Sequence, residues 1–222
     1  MTQSIPLNNL IQPAEGQPRT ERADAAANRL RILQVAEQLF AQQGVANVNM
    51  ADIATAAEVG KGTLYRRFAN KSELCLALID EQMAAFQNDR LAQMRLLTAQ
   101  GVPKMEQLAI FLDELVYFTE AHSPILCEVQ RAGLLSGSEA ENSSLPHFWQ
   151  YMTIHGLLKT AVSHNEIPAD LDLDYLADAL LAPLKADLFR FQRQVRGFSL
   201  AQISQGLQTL VRAIQALSLT RA

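Results

Sequence analysis

From Ile32 to Leu217 the apolar residues of this chain recur three and four positions apart, and no run of alternating β-branched residues reads as a strand. That spacing lays one apolar stripe along each helix, whereas a strand needs a period of two. It restricts the 222 residues to an all-α fold of about nine helices, whose stripes must be buried against one another.

The punctuation between stripes divides the chain. Ile32, Leu33, Ala36, Leu39 and Phe40 make the inner face of a first helix, from about Arg22 to Gln43, which Gly44 ends as a left-handed cap. Asn49 suits the N-cap of a short second helix that buries Ile53, Ala54 and Ala57. Glu58-Val59-Gly60 forms a turn, and Lys61 to Phe68 a third helix. Asn70 or Ser72 then opens a long fourth, with Leu74, Leu78, Ile79, Met83 and Phe86 inward.

Beyond Gly101-Val102-Pro103, a fifth helix carries Met105, Leu108, Ala109, Leu112, Leu115 and Val116. His122-Ser123-Pro124 is expected to break it, leaving Ile125 to Leu135 as a sixth. A polar loop over Ser136 to Pro146 precedes a seventh helix from about His147 to His164. The connector Asn165 to Asp172 leads to an eighth, with Leu173, Leu176, Leu180, Leu184, Leu188 and Phe191 on one stripe and a kink at Pro183. Leu200, Ile203, Leu207, Leu210, Ile214 and Leu217 mark the ninth. Residues 1–19, with three prolines and little periodicity, read as a disordered arm. Residues 20–72 form a small helical head, and residues 73–222 a larger helical body.

Charge separates head from body. From Arg19 to Cys75 there are eight Lys/Arg against six Asp/Glu, and from Leu76 onward eleven against sixteen, within a net charge of −4. The start MTQSIPLNNL lacks the basic and apolar regions of a signal peptide, and no apolar run reaches the roughly 18 residues a membrane span needs. Cys75 and Cys127 stand far apart, and neither they nor the four histidines have metal-ligand spacing, so the reading is a reduced cytoplasmic protein without metal or cofactor. No nucleophile-elbow, phosphate-loop or zinc-protease motif points to an enzyme.

The third helix carries the most specific chemistry. Lys61, Thr63, Tyr65, Arg66 and Arg67 crowd seven residues without an acid among them. A short second helix, a tight turn and a basic helix have the form of a helix-turn-helix, whose second helix enters a DNA major groove. Phe40, Gly44, Ile53, Ala54, Ala57, Val59, Lys61, Gly62, Thr63, Leu64, Tyr65, Phe68, Lys71 and Leu74 together resemble the pattern of the TetR-type regulators, from the first helix into the fourth. Gly60 stands where that family often has serine, and Arg66-Arg67 where its residues are more mixed, so the DNA sequence contacted stays open.

The resemblance implies a homodimeric transcription regulator, usually a repressor, that leaves a palindromic double-stranded operator when its body binds a small ligand. Lys61, Thr63 and Arg66 are then candidates for base edges or nearby phosphates, and Tyr65 for a phosphate through its hydroxyl. Asn49, Arg67 and Lys71 are candidates for phosphate positioning, while Gly62 keeps the helix slim against the DNA. The resemblance also implies that the last two long helices pair with their copies through Leu176, Leu180, Leu184, Leu188, Leu207, Leu210 and Ile214. Phe86, Met94, Phe111, Tyr117, Phe118, Phe148, Trp149 and Met152 can line an apolar pocket, with Arg131 among several possible polar anchors. A constitutive DNA-binding regulator or scaffold with no effector is the alternative that the residues leave open.

Overall fold

Nine α-helices carry the described residues, 18–133 and 146–219 of a computed structural model, with no strand among them. They are α1 (Pro18–Gln43), α2 (Met50–Ala56), α3 (Lys61–Arg67), α4 (Lys71–Ala99), α5 (Lys104–Arg131), α6 (Pro146–Ser163), α7 (Leu173–Leu181), α8 (Ala186–Arg190) and α9 (Leu200–Leu219). Of the expected arm only residues 18 and 19 are described, and of the expected polar loop only Pro146.

Local chemistry sets the boundaries. Gly44 follows α1 at φ 81°, a left-handed geometry that costs glycine little. Asn49 and Asp52 form a reciprocal capping box on α2: Ala51 N and Asp52 N donate to Asn49 Oδ1 (2.9 and 3.1 Å), and Asn49 N donates to Asp52 Oδ2 (2.9 Å). Asn70, rather than Ser72, caps α4, since Glu73 N donates to Asn70 Oδ1 at 2.9 Å.

Two expected boundaries are corrected. The fifth and sixth helices of the sequence reading are one, since α5 runs from Lys104 through Pro124 to Arg131. Pro124 lies on the exposed side of the helix, where a carbonyl deprived of its N–H partner can meet water. On the packed side Thr119 Oγ1 donates to Leu115 O and His122 Nδ1 to Phe118 O, both at 2.8 Å. The eighth helix, in contrast, is broken rather than merely kinked. α7 stops at Leu181, a 3-10 turn spans Ala182–Leu184, and Lys185 is extended at ψ 135° before α8 and a π turn, Phe191–Val195. Pro183 provides no N–H to continue the α-ladder there.

The buried side chains fall into two cores. The first gathers α1 to α3, the start of α4 and the end of α5, through Ile32, Phe40, Ile53, Leu64, Phe68, Leu74, Ile79, Ile125 and Val129. The second gathers the rest of α5 with α6 to α9, around Phe111, Leu115, Ile154, Leu158, Leu180, Phe189, Leu207 and Val211, and Phe86 and Met94 of α4 pack against it. α4 and α5 therefore belong to both, so the head is not a separate module on a tether.

The start of α5 is secured from far along the chain. The N–H groups of Lys104 and Met105 each donate to a different oxygen of Glu166, both at 2.8 Å. A carboxylate there satisfies two of the orphan amides of a helix start and sits at the positive end of its dipole. Glu166→Ala is expected to cost about 2 kcal/mol, the scale of hydrogen bonds to a charged acceptor, and to lower Tm by roughly 4–8 °C in thermal denaturation. A Tm unchanged within error would show that water replaces the carboxylate without loss.

Candidate nucleic-acid interface and its connection to the body

α3 is held by two points of its own surface. Leu64 is fully buried, and Phe68, the residue after the helix, nearly so; both pack in one core with Ile53 and Ala54 of α2. The turn between the helices is closed by Ala57 N donating to Ile53 O (2.8 Å) and Val59 N to Ala54 O (3.0 Å). Glu58 takes the left-handed conformation that this turn requires, at φ 53°. These contacts fix the angle of α3 and leave its other faces outward.

Lys61, Gly62, Tyr65 and Arg66 are exposed, and Thr63 and Arg67 are half-buried. Half of Tyr65 is open to solvent, with its hydroxyl in no hydrogen bond to another described residue. Arg67 Nε is buried and has no hydrogen-bond partner among the described residues. A cationic, hydroxyl-bearing edge on one short, well-anchored helix can meet base edges and phosphates together.

Two residues expected on phosphates have other work. The side-chain oxygen of Asn49 is engaged in the α2 cap, which leaves only its amide donors for an outside partner. Lys71 is turned inward, with Nζ donating to Val45 O at 2.8 Å and Val48 O at 3.2 Å. It staples the start of α4 to the connection between α1 and α2. Burial of the helix start beside uncapped carbonyls is the reason: the ammonium satisfies acceptors that the 3-10 turn Val45–Asn47 leaves over.

Gly62 carries information that packing does not explain. A Cβ built on it would meet nothing within 4 Å, and its φ is an ordinary negative one, so the subunit itself has room for a side chain. Gly62→Ala is expected to stabilise the free protein by up to about 1 kcal/mol through helix propensity. The same substitution should weaken DNA binding if the α3 backbone approaches the duplex closely. Paired melting and fluorescence-anisotropy titrations separate the two effects, and tighter or equal DNA binding would exclude a close approach at this residue.

The head is tied to the body along α4 and α5. Arg29 donates to Glu81 and Gln82 to Glu37, both at 2.5 Å, between α1 and α4. Ser72 Oγ donates to Glu128 Oε1 at 3.1 Å, between α4 and α5. Next to it, burial pushes the Cys75 thiol up to about 12, with the Glu128 carboxylate adding to the shift and Lys71 opposing it. A thiol kept protonated is a poor nucleophile and a poor redox sensor.

In the body, five of the nine expected pocket residues come together. Phe86 lies 4.5 Å from Phe118, 6.2 Å from Trp149 and 6.4 Å from Phe111 between ring centroids, and Trp149 meets Phe111 edge-on at 5.6 Å. Met94 packs against the same core. Tyr117, Phe148 and Met152 are 42–49% exposed and point elsewhere. On α5 the inward stripe is Leu108, Phe111, Leu112 and Leu115, which leaves Tyr117 on the far side; on α6 it is Ile154, Leu157, Leu158 and Ala161. Arg131 is exposed at the end of α5 and paired to Glu128 at 2.5 Å, away from the rings. Arg90 and Glu114, absent from the expected site residues, pair across α4 and α5 beside Phe86. Their signal lay in the spacing of Phe86, Arg90 and Gln93 on one helical face, opposite Phe111, Glu114 and Phe118.

The pairing stripe needs the same sorting. Leu180, Leu184, Leu207 and Ile214 are buried within the subunit's own core, and Leu176 packs against it. Leu188 and Leu210 remain 41% and 48% exposed. Tyr175, Phe191, Val195 and Leu217, outside the expected pairing set, are exposed as well. On α9, Gly206, Leu210, Ala213 and Leu217 form a second apolar line beside the buried one.

Residues 32–78 match the family model described as bacterial regulatory proteins, tetR family. An HTH-type transcriptional regulator of Staphylococcus aureus (strain bovine RF122 / ET3-1) is 30% identical over 179 residues, covering 81% of this chain and 89% of its own. A TetR-family transcriptional regulator of Pectobacterium atrosepticum shares the fold at TM-score 0.67 and 20% identity, over 87% of this chain and 96% of its own. The Thermus thermophilus repressor FadR, crystallised with lauroyl-CoA, does so at TM-score 0.61 and 21% identity, over 83% and 93%. A regulator of Saccharomonospora viridis in complex with choline does so at TM-score 0.64 and 21% identity, over 84% and 96%. Basic helix, capped partner helix, all-helical body and relatives agree, and the chain belongs to the TetR family of helix-turn-helix transcriptional regulators.

Proposed function

We propose that the protein is a homodimeric repressor that binds a palindromic operator through α3 of each subunit and leaves it when a small, largely apolar ligand enters the body. The observation that carries the DNA half is the division of α3, with Leu64 buried while Lys61, Gly62, Tyr65 and Arg66 face outward. Pairing is supported by the apolar side chains left exposed on α8 and α9, which a second copy related by a two-fold axis would cover. Two such subunits place their α3 helices on half-sites one helical turn or more apart.

Ligand release is supported by continuity. The aromatic cluster of α4, α5 and α6 includes Phe118, which also packs against the head core, and α5 carries on into that core through Ile125 and Val129. A molecule that spreads the rings would shift helices on which α3 depends, so the two sites can bias one equilibrium. Folds of this shape hold lauroyl-CoA in one relative and choline in another, so the fold alone selects no effector.

Footprinting of the purified protein on genomic fragments tests the reading. Protected sites are expected to be two-fold symmetric, and affinity should fall steeply with salt, because phosphate contacts release counterions. Asymmetric sites, or binding indifferent to salt, would overturn it.

A further inference from the structure

We propose that the body recognises an amphipathic carboxylate, with Arg90 binding the carboxylate and Phe86, Phe111, Phe118 and Trp149 the apolar part. The inference rests on the ligand-released reading above and names the ligand class of that site.

Arg90 lies on the α4 seam with α5, its guanidinium 5.3 Å from the centre of the Phe86 ring. One end of it is occupied: Nη1 pairs with Glu114 and donates to Gln93 Oε1 at 3.0 Å. Gln93 in turn donates to Glu114 Oε1 at 3.0 Å, which locks the trio. On the other edge, Nε with Nη2, Nε is buried and has no hydrogen-bond partner among the described residues. That edge is a planar pair of parallel donors, the geometry that takes both oxygens of a carboxylate. A buried guanidinium donor without an acceptor is costly, so the site favours an oxygen partner over an apolar or cationic one.

The surroundings supply the rest. Phe86 is the ring under Arg90 and also the ring that meets Phe118, Trp149 and Phe111, so an acid held at Nε and Nη2 has an aromatic wall directly beneath it. Phe86, Phe118 and Trp149 are each only partly buried, which gives the cluster an open margin next to the charge. Glu114 holds Arg90 in place but also competes for it. Removing the glutamate charge should therefore help a carboxylate, and removing the arginine should abolish its advantage.

Titration calorimetry with full-length protein tests this, using decanoate, its methyl ester, decanoyl-CoA and decyltrimethylammonium below their micellar concentrations, alongside operator release by each. Decanoate is expected to bind wild-type protein at least about tenfold more tightly than the ester, the scale of one charge-assisted bidentate contact. Arg90→Gln should erase that difference while keeping operator binding without ligand, and Glu114→Gln should tighten decanoate severalfold. Equal binding of acid and ester, or an acid preference that survives Arg90→Gln, would overturn the inference. Decanoyl-CoA outcompeting decanoate would assign the anion to the nucleotide and overturn the free carboxylate. Release by the ester or the ammonium compound alone would leave a ligand-responsive repressor with the wrong head group. Release by none of the four would count against both readings.

Discussion

Lys61→Ala and Tyr65→Ala proteins are each expected to keep the wild-type melting temperature and lose about a hundredfold in operator affinity. Both side chains are exposed and the Tyr65 hydroxyl bonds to no other described residue, so the folded subunit has little to lose. Exposed positions of that kind usually change stability by about 0.5 kcal/mol or less. A base-edge or phosphate contact on α3 is worth roughly 1–1.5 kcal/mol, and two-fold symmetry uses it twice, which multiplies a tenfold effect into a hundredfold one. Salt distinguishes the two residues. Losing two lysine contacts per dimer should lower the slope of log affinity against log salt by roughly 2, whereas losing a neutral hydroxyl should leave the slope alone. Anisotropy titrations at several salt concentrations give both quantities, and unchanged affinity in both proteins would remove α3 from the DNA.

The head architecture was legible because it is local. Asn49 and Asp52 cap α2 within three residues of each other, and Leu64 and Phe68 anchor α3 at helical spacing. Where the sequence misled, a distant partner decides. Lys71 looks like a phosphate ligand until the carbonyls of Val45 and Val48, more than twenty residues earlier, claim its ammonium. Glu166 looks like an ordinary connector acid, and it caps a helix that starts sixty residues before it. Pro124 looks like a helix end, but both cores grip α5 on either side of it and the helix continues. The body's ring set divides likewise. Side-chain type nominated nine residues, while the helical face that each occupies, a product of packing between α4, α5 and α6, admits five.

Leu207 and Leu210 lie on the same helix, both apolar and both candidates for pairing, yet one is buried in the subunit and the other exposed. Leu207 is 2% exposed inside the subunit core, so Leu207→Ala should cost about 2–5 kcal/mol and lower Tm at every protein concentration. Leu210 is 48% exposed and Leu217, two turns farther along the same face, 42%. The double change Leu210→Glu, Leu217→Glu is therefore expected to leave the helical content of the subunit intact and place like charges against their own copies across a two-fold axis. Light scattering should then give the mass of one chain rather than two. Operator affinity should fall by roughly a hundredfold to ten-thousandfold, because half-sites that one dimer engages together must now be filled by independent subunits. Melting temperature should also become less dependent on protein concentration as the linkage between folding and pairing disappears. A double variant that stays dimeric with full operator affinity would move the interface off this face of α9. The exposed Leu188, Phe191 and Val195 would then be the apolar surface left to cover, and charge reversal there would be the next discriminating change.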